Sequence, residues 1–138
     1  TTEIYTLSLH DALPISVRVL TEGLVDLGLL AGPIDRVIED QQYRRFYMHR
    51  TGHWLGMDVH DVGDYKVGGE WRVLEPGMTL TVEPGLYVTP TDDVDTRWHN
   101  IGIRIEDDIL VTRKGREILT ADVPKCPDEI EALMVEPL

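Results

Sequence analysis

Three of the chain's five histidines lie close together, between positions 49 and 60. His49, His53 and His60 are interspersed with glycines, and Glu83 and Glu106 follow downstream. Imidazole nitrogens and carboxylate oxygens are the groups with which metal-dependent hydrolases hold divalent ions and act on a substrate. The pattern therefore favours metal-assisted hydrolysis, provided that the fold brings the histidines and the glutamates together.

Two segments of alternating polarity carry the glutamates. In residues 78–83 apolar and polar side chains alternate, which predicts a strand with Glu83 on its polar face. In residues 101–106 isoleucines alternate with a face that holds Arg104 and Glu106, because side chains repeat every two residues along a strand. Two glutamates from neighbouring strands can converge on one point. Buried carboxylates need a counter-charge, which a metal ion or Arg104 can provide.

Helices are predicted before and after these strands in the sequence. Apolar spacing over residues 17–30 predicts an amphipathic helix that ends at Gly32-Pro33, and residues 34–44 predict a second, shorter helix. Residues 109–119 indicate a hairpin, and Pro127 opens a terminal helix. The predicted fold class is therefore α+β, with an antiparallel sheet flanked by helices.

Composition narrows the classes of function. The chain has 138 residues, 42% of them hydrophobic and 28% charged, which suits one globular domain. No apolar run of about 18 residues is present, so we expect no membrane span. A net charge of −12 argues against nucleic-acid partners. The single Cys126 excludes an internal disulfide and suits a reducing compartment, so we expect a cytoplasmic location.

The first residues have an unusual composition. Residues 3–15 resemble the in-frame translation of a sequencing-library adapter, and the chain does not start with Met. We therefore expect residues 1–16 to be an artefact, unstructured or extended, and residues 17–138 to be part of a catalytic domain truncated at its 5′ side. His10 and Asp11 would then belong to no functional site.

Each candidate residue also has an ordinary structural interpretation. A lone strand glutamate such as Glu83 usually faces solvent. Arg104 and Glu106 alone would most often form a structural ion pair, and His60-Asp61 alone could form a turn or a cap. The aspartates of residues 89–100 lack the spacing and the closing glutamate of a calcium loop. The residues interpreted as loop, surface or packing residues are Asp92, Asp93, Asp95, His99, Trp54, Trp71 and Cys126.

Taken together, the segments resemble the pita-bread metallopeptidases of family M24, and among them the Xaa-Pro aminopeptidases. The resemblance rests on residues 49–63, on the run Leu-Glu-Pro-Gly-Met-Thr-Leu-Thr-Val-Glu-Pro-Gly-Leu-Tyr at residues 74–87, and on Gly-Ile-Arg-Ile-Glu-Asp-Asp at residues 102–108. It covers residues 17–135 and implies the C-terminal half of a pita-bread catalytic domain.

The resemblance also implies a set of metal ligands. His53 matches the histidine ligand, Glu83 matches the next ligand, and Glu106 matches a glutamate that bridges two metal ions. A ligand set rich in carboxylates suits Mn²⁺, although other divalent ions are possible. Such ions would polarise the scissile carbonyl and activate water near neutral pH.

The resemblance assigns the remaining site residues to the substrate and to the carboxylates. His49 and His60 match histidines that face the substrate, where His60 would donate a hydrogen bond to the developing oxyanion. Glu83 would pass a proton to the departing proline nitrogen. Arg104 would orient the carboxylates. The implied activity is release of the N-terminal residue from peptides with proline second, by a parent protein that is expected to be a homo-oligomer.

Two ligands that the family's site contains are absent from the matching positions. They are aspartates that belong upstream of residue 17, and Asp26, Asp35 and Asp40 lie in predicted helices and do not match them. We therefore expect this chain to be inactive by itself.

Three alternative functions remain open. One is an Xaa-Pro dipeptidase (prolidase). The second is a non-enzymatic pita-bread binding protein, which should have lost ligands, and the third is a metal-free relative such as creatinase, which should lack the two glutamates.

Overall fold

Three helices and seven short strands make up the part of the chain, residues 7–135, that the computed structural model describes. Helices α1 (Leu9–Asp26) and α2 (Ile34–Glu39) precede the strands, and α3 (Pro127–Val135) follows them. The strands are β1 (Lys66–Val67), β2 (Glu70–Trp71), β3 (Thr79–Val82), β4 (Gly85–Tyr87), β5 (Gly102–Arg104), β6 (Asp107–Thr112) and β7 (Gly115–Ile118). Turns of 3₁₀ helix span Gln42–Arg45 and Thr96–Trp98. The predicted α+β class is confirmed.

All of the strand pairs are antiparallel. The order β3-β6-β7 forms one sheet, β4 pairs with β5, and β1 pairs with β2. The pairs β3–β6 and β4–β5 share one register, because Val82 lies opposite Asp107 and Gly85 lies opposite Arg104. The ladder is interrupted only at the residues between these two pairs, and that interruption is where the predicted site residues lie.

Residues 51–55 run antiparallel along the free edge of β3. Three backbone hydrogen bonds join them: Leu55 N to Thr79 O at 3.1 Å, Thr81 N to His53 O at 2.9 Å, and Glu83 N to Thr51 O at 2.7 Å. These bonds hold the histidine segment in register with the strand that leads to Glu83. An edge strand that is covered in this way also loses its exposed backbone groups.

Two apolar clusters support the helices and the sheet. One joins α1 and α2 to β4 and contains Leu24, Leu30, Val37, Phe46, Val88 and Val94. The other lies under β3 and β6 and contains Leu9, Trp54, Leu80, Ile109 and Val111. Within residues 7–135 no helix is both long and apolar enough to cross a membrane.

Helix α1 begins earlier than the sequence predicted. Residues 9–16 are helical, so the prediction of an unstructured or extended segment over residues 1–16 is wrong for this part, while residues 1–6 lie outside the described residues. Ser8 and Asp11 form a capping box that starts the helix, and Leu9 is buried in the apolar cluster under β3. A good cap and one buried side chain explain why this stretch is helical, whatever its origin.

The second predicted helix is divided in two. Helix α2 ends at Glu39, and a 3₁₀ turn takes up Gln42–Arg45. Gln41 separates them with a left-handed φ of 56°, which a continuous helix does not allow. The chain is thereby redirected toward the histidine segment.

Candidate metal centre

His53, Glu83 and Glu106 converge at the interruption of the ladder. Each offers one ligand atom, and these atoms all lie within 4.8 Å of one another. Among the residues that the structure describes, this is the one group of three or more His, Cys, Asp or Glu side chains close enough to share a metal ion. The three residues for which the sequence predicted a ligand role are therefore brought together, and the role itself stays a prediction.

The strand register explains why the two glutamates meet. If the shared register of β3–β6 and β4–β5 continues, Glu83 lies opposite Glu106 and Pro84 lies opposite Ile105. One long bond, from Ile105 N to Pro84 O at 3.3 Å, crosses this gap. Like charges directly opposite on neighbouring strands repel and are destabilising unless a cation lies between them. The backbone thus places two negative charges next to each other, and a bound cation would stabilise this arrangement.

The ring of His53 presents one nitrogen to this site. Its Nδ1 lies 2.9 Å from the carbonyl oxygen of Trp54, and since a carbonyl only accepts, Nδ1 donates the proton. The lone pair is then on Nε2, which lies 3.3 Å from Oε1 of Glu83. Fixing the tautomer through the other ring nitrogen is the usual way in which a protein prepares a histidine ligand.

Glu83 is buried, with both carboxylate oxygens engaged. Its relative exposure is 7%, so the interpretation of a strand glutamate that faces solvent is wrong here. Oε1 accepts a hydrogen bond from the hydroxyl of Thr81 at 3.0 Å, and Oε2 lies 3.0 Å from Nη1 of Arg104. The ordinary structural interpretation paired Arg104 with Glu106, whereas the direct ion pair in the structure is with Glu83.

Arg104 is itself held by an aromatic hydroxyl. Its Nε donates to the hydroxyl of Tyr87 at 2.8 Å, and this hydrogen bond raises the pKa of Arg104 further above its already high ordinary value. Tyr87 in turn lies 3.1 Å from Nε2 of His49, whose Nδ1 is 2.7 Å from the carbonyl oxygen of Arg50. Because Nδ1 of His49 donates to the carbonyl, its Nε2 accepts from the hydroxyl of Tyr87. Tyr87 in turn accepts from Arg104, so the direction of each of these three hydrogen bonds is fixed.

The two histidines for which the resemblance implies a substrate-facing role differ in exposure. His49 is half-buried against Tyr87, whereas His60 is exposed and meets the ring of His53 edge-on, with 4.3 Å between the ring centroids. His60 therefore lies on the open side of the site. The substrate-facing roles of His49 and His60 stay predictions.

Other sequence candidates lie outside the cluster. Asp93 forms a two-point ion pair with Arg45, whose hydrogen bonds lower the pKa of Asp93. Asp95 accepts a hydrogen bond from the backbone N–H of Arg97, and His99 contacts a loop carbonyl. The residues that have packing, capping or surface positions here are His10, Asp11, Trp54, Trp71, Asp92 and Cys126.

Two residues of this network were missed from the sequence. Thr81 and Tyr87 both belong to the run that carries the family resemblance, yet neither was given a role. Thr81 shares a strand face with Glu83, two positions away, which was the available signal. Nothing local in the sequence placed Tyr87 between Arg104 and His49.

The donor set fits a divalent cation. Two carboxylates and one neutral imidazole nitrogen supply net negative charge and a mixture of oxygen and nitrogen ligands. Arg104 offsets only part of the charge of the two glutamates. A metal ion would remove the remaining repulsion across the strands.

Comparisons with known proteins identify a matching family and similar sequences. The family described as Metallopeptidase family M24 matches residues 9–113. Xaa-Pro aminopeptidase of Escherichia coli is 56% identical over 119 residues, which cover 86% of this chain and 27% of that protein. Xaa-Pro dipeptidase of Rattus norvegicus is 39% identical over 146 residues, covering 85% of this chain and 30% of that protein.

A solved structure has the same fold over most of the chain. Aminopeptidase PepP of Pseudomonas aeruginosa matches with 65% sequence identity and a TM-score of 0.81, covering 86% of this chain and 27% of that one. The chain thus spans about a quarter of the length of these aminopeptidases.

Proposed function

The chain belongs to the metallopeptidase family M24 and folds as part of its pita-bread domain, and from this premise we propose that it is the metal-binding part of an aminopeptidase. The proposed reaction is release of the N-terminal residue from peptides with proline in the second position. The observation that carries the proposal is the convergence of His53, Glu83 and Glu106 within 4.8 Å. Their retention counts against a binding protein that has lost catalysis.

Identity supports the aminopeptidase over the dipeptidase. The chain is 56% identical to the Escherichia coli Xaa-Pro aminopeptidase and 39% identical to the rat Xaa-Pro dipeptidase over similar shares of its length. We therefore propose peptides longer than dipeptides as the substrates.

The proposed metal ligands already lie close together in the structure. His53 Nε2 and the carboxylates of Glu83 and Glu106 would bind divalent ions, for which we propose Mn²⁺ because oxygen donors predominate. Bound divalent ions of this kind polarise a carbonyl and lower the pKa of water toward about 7.

The protein's own groups would then move the proton and hold the substrate. As the family resemblance implies, Glu83 would take a proton from the attacking water and deliver it to the departing proline nitrogen. Thr81 and Arg104 hold its buried carboxylate in place for this role. The charged Arg104 keeps that carboxylate oriented. His60, on the open side, would donate a hydrogen bond to the carbonyl oxygen as negative charge develops there.

We further propose that this chain does not turn over peptides by itself. Residues 7–135 bring together three ligands, whereas a two-metal hydrolase needs enough ligands to hold both ions and leave room for substrate. The two aspartates implied by the family resemblance are not among the residues that converge here.

A chimeric enzyme tests the proposed reaction. Residues 17–135 would replace the matching segment of the Escherichia coli aminopeptidase, and release of alanine from Ala-Pro-Ala and Ala-Ala-Ala would be measured with Mn²⁺. We expect cleavage of the proline peptide only, and a loss in kcat of about 10²–10⁴-fold for Glu83→Gln, since a proton-transfer group is removed.

The controls separate the two proposals. Asp92→Asn alters an exposed loop carboxylate and should leave kcat unchanged. A folded, Mn²⁺-loaded chimera without activity would contradict the aminopeptidase assignment. Normal turnover by the 138-residue chain alone would contradict only the proposal that its ligand set is insufficient.

A further inference from the structure

We infer that Thr81 is a positioning residue that sets the geometry between two metal ligands through one buried hydroxyl. The inference rests on the proposed metal centre but concerns a side chain that is not a ligand. Thr81 lies on β3, two residues before Glu83 and across from His53 on the neighbouring segment.

The hydroxyl of Thr81 contacts both ligand residues at once. Its Oγ1 lies 3.0 Å from the backbone N of His53 and 3.0 Å from Oε1 of Glu83. A backbone N–H only donates and an ionised carboxylate only accepts. The single hydroxyl proton must therefore go to Glu83, while the oxygen accepts from His53, and both directions are fixed.

Burial makes the two hydrogen bonds of Thr81 hard to replace with water. Thr81 is 1% exposed and Glu83 is 7% exposed, so solvent offers little replacement for a lost partner. Without the hydroxyl, the N–H of His53 and one oxygen of Glu83 would each lose a hydrogen bond in a buried place, which is costly.

The two ligands are on separate segments, which is why a link between them matters. His53 belongs to the edge segment, residues 51–55, and Glu83 follows β3. Thr81 fixes the rotation of the carboxylate from the Oε1 side, as Arg104 does from the Oε2 side. Oε1 is thereby held 3.3 Å from Nε2 of His53, a separation that two ligands of one ion can share.

Three variants isolate the hydroxyl. Thr81→Val keeps the shape and removes the hydroxyl, and Thr81→Ser keeps the hydroxyl and removes the methyl group. Thr79→Val is the matched control, because Thr79 lies on the same face of β3 and its hydroxyl donates to the carbonyl oxygen of Leu55, away from the three ligands.

The measurement is a Co²⁺ titration of the 138-residue chain, followed by the visible absorption spectrum of the bound ion. Melting temperatures are recorded in parallel. We expect Thr81→Val to weaken Co²⁺ binding by about 10–100-fold and to change the spectrum, as is typical when a partner of a ligand is removed. Thr81→Ser should restore both, and Thr79→Val should bind as the unaltered chain does.

Each remaining outcome overturns either the proposed metal centre or only the role of Thr81. If the unaltered chain binds no Co²⁺, the proposed metal centre is wrong and the role of Thr81 falls with it. If the chain binds but Thr81→Val binds equally well, only the role of Thr81 is overturned, and the same holds if Thr79→Val weakens binding as strongly. Thr81→Ala serves if the valine variant does not fold, and unchanged affinity there also overturns the inference.

Discussion

Gly52 sets how closely the histidine segment can approach β3. A Cβ atom at this position would lie 1.9 Å from the carbonyl oxygen of Thr81, far inside van der Waals contact. The backbone of β3 cannot move without breaking the bonds that hold His53 in register. We expect Gly52→Ala to lower the free energy of unfolding by about 1–3 kcal/mol, measured by urea denaturation.

The control is a glycine with free space around it. A Cβ on Gly23, inside α1, meets nothing within 4 Å. Gly23→Ala should therefore raise stability by about 0.5–1 kcal/mol, because alanine loses less conformational freedom in a helix. Equal stability of the two variants would show that the close approach to Thr81 is relaxed in solution.

The sequence predicted individual residues well wherever a local rule applied. The period of two along a strand placed Glu83 on a polar face and put Arg104 and Glu106 on one face of the next strand. The family resemblance added the ligand roles of His53, Glu83 and Glu106. Alternation could not show that Thr81 and Glu83 are buried, because burial depends on parts of the chain that are distant in sequence. Thr81 and Gly52 matter for the same reason, since their importance arises only from the neighbouring segment.

Helix α1 depends on a charged cap at its first turn. Asp11 Oδ2 accepts hydrogen bonds from the backbone N of Ser8 at 2.6 Å and from its hydroxyl at 2.7 Å, and these bonds lower the pKa of Asp11. A lowered folded-state pKa gives stability that is present above the ordinary value of about 3.9 and is lost as pH falls through the folded pKa. We expect Asp11→Asn to lower the melting temperature at pH 7, and the difference from the unaltered chain to disappear near pH 2.

Circular dichroism at several pH values measures this difference. Asp26→Asn is the control, because Asp26 ends the same helix, where a negative charge opposes the helix dipole. Its removal should leave the melting temperature unchanged or raise it. A pH-independent effect of Asp11→Asn would contradict the charged cap.

Elements were predicted more reliably than their ends. The alternating strands, the hairpin and the terminal helix are all present, since each has a strong local period. Helix α1 begins at Leu9 because Ser8 and Asp11 cap it and Leu9 is buried in the apolar cluster under β3. The sequence of this segment, by contrast, indicated an artefact. The break at Gln41 has no glycine or proline to mark it in the sequence, so the local pattern predicted a continuous helix there.

At the scale of the whole molecule, the β4–β5 pair has an open edge among the described strands. Strand β5 pairs only with β4 among the described strands, which leaves one edge of the pair open. Ile103 in this strand and Ile101 and Ile105 on either side of it have relative exposures of 60%, 38% and 49%. An open edge with exposed apolar side chains is a template for association.

Net charge opposes that association. At −12, copies of the chain repel one another at low ionic strength, and added salt screens this repulsion. We therefore expect self-association to rise with salt concentration. Ile103→Lys places a charge at the middle of the open strand and should keep the chain monomeric at a salt concentration where the unaltered chain associates, as measured by light scattering after size-exclusion chromatography.

The variant Val62→Lys is the control that distinguishes the effect of the open β5 edge from the effect of net charge. Val62 is 89% exposed and lies in a loop outside the strands, and its replacement changes the net charge by the same amount. Because one added positive charge slightly reduces the overall repulsion, this control should associate at least as readily as the unaltered chain. If Val62→Lys suppresses association as well as Ile103→Lys does, or if the unaltered chain stays monomeric at high salt, the open β5 edge does not govern the solution behaviour of the molecule.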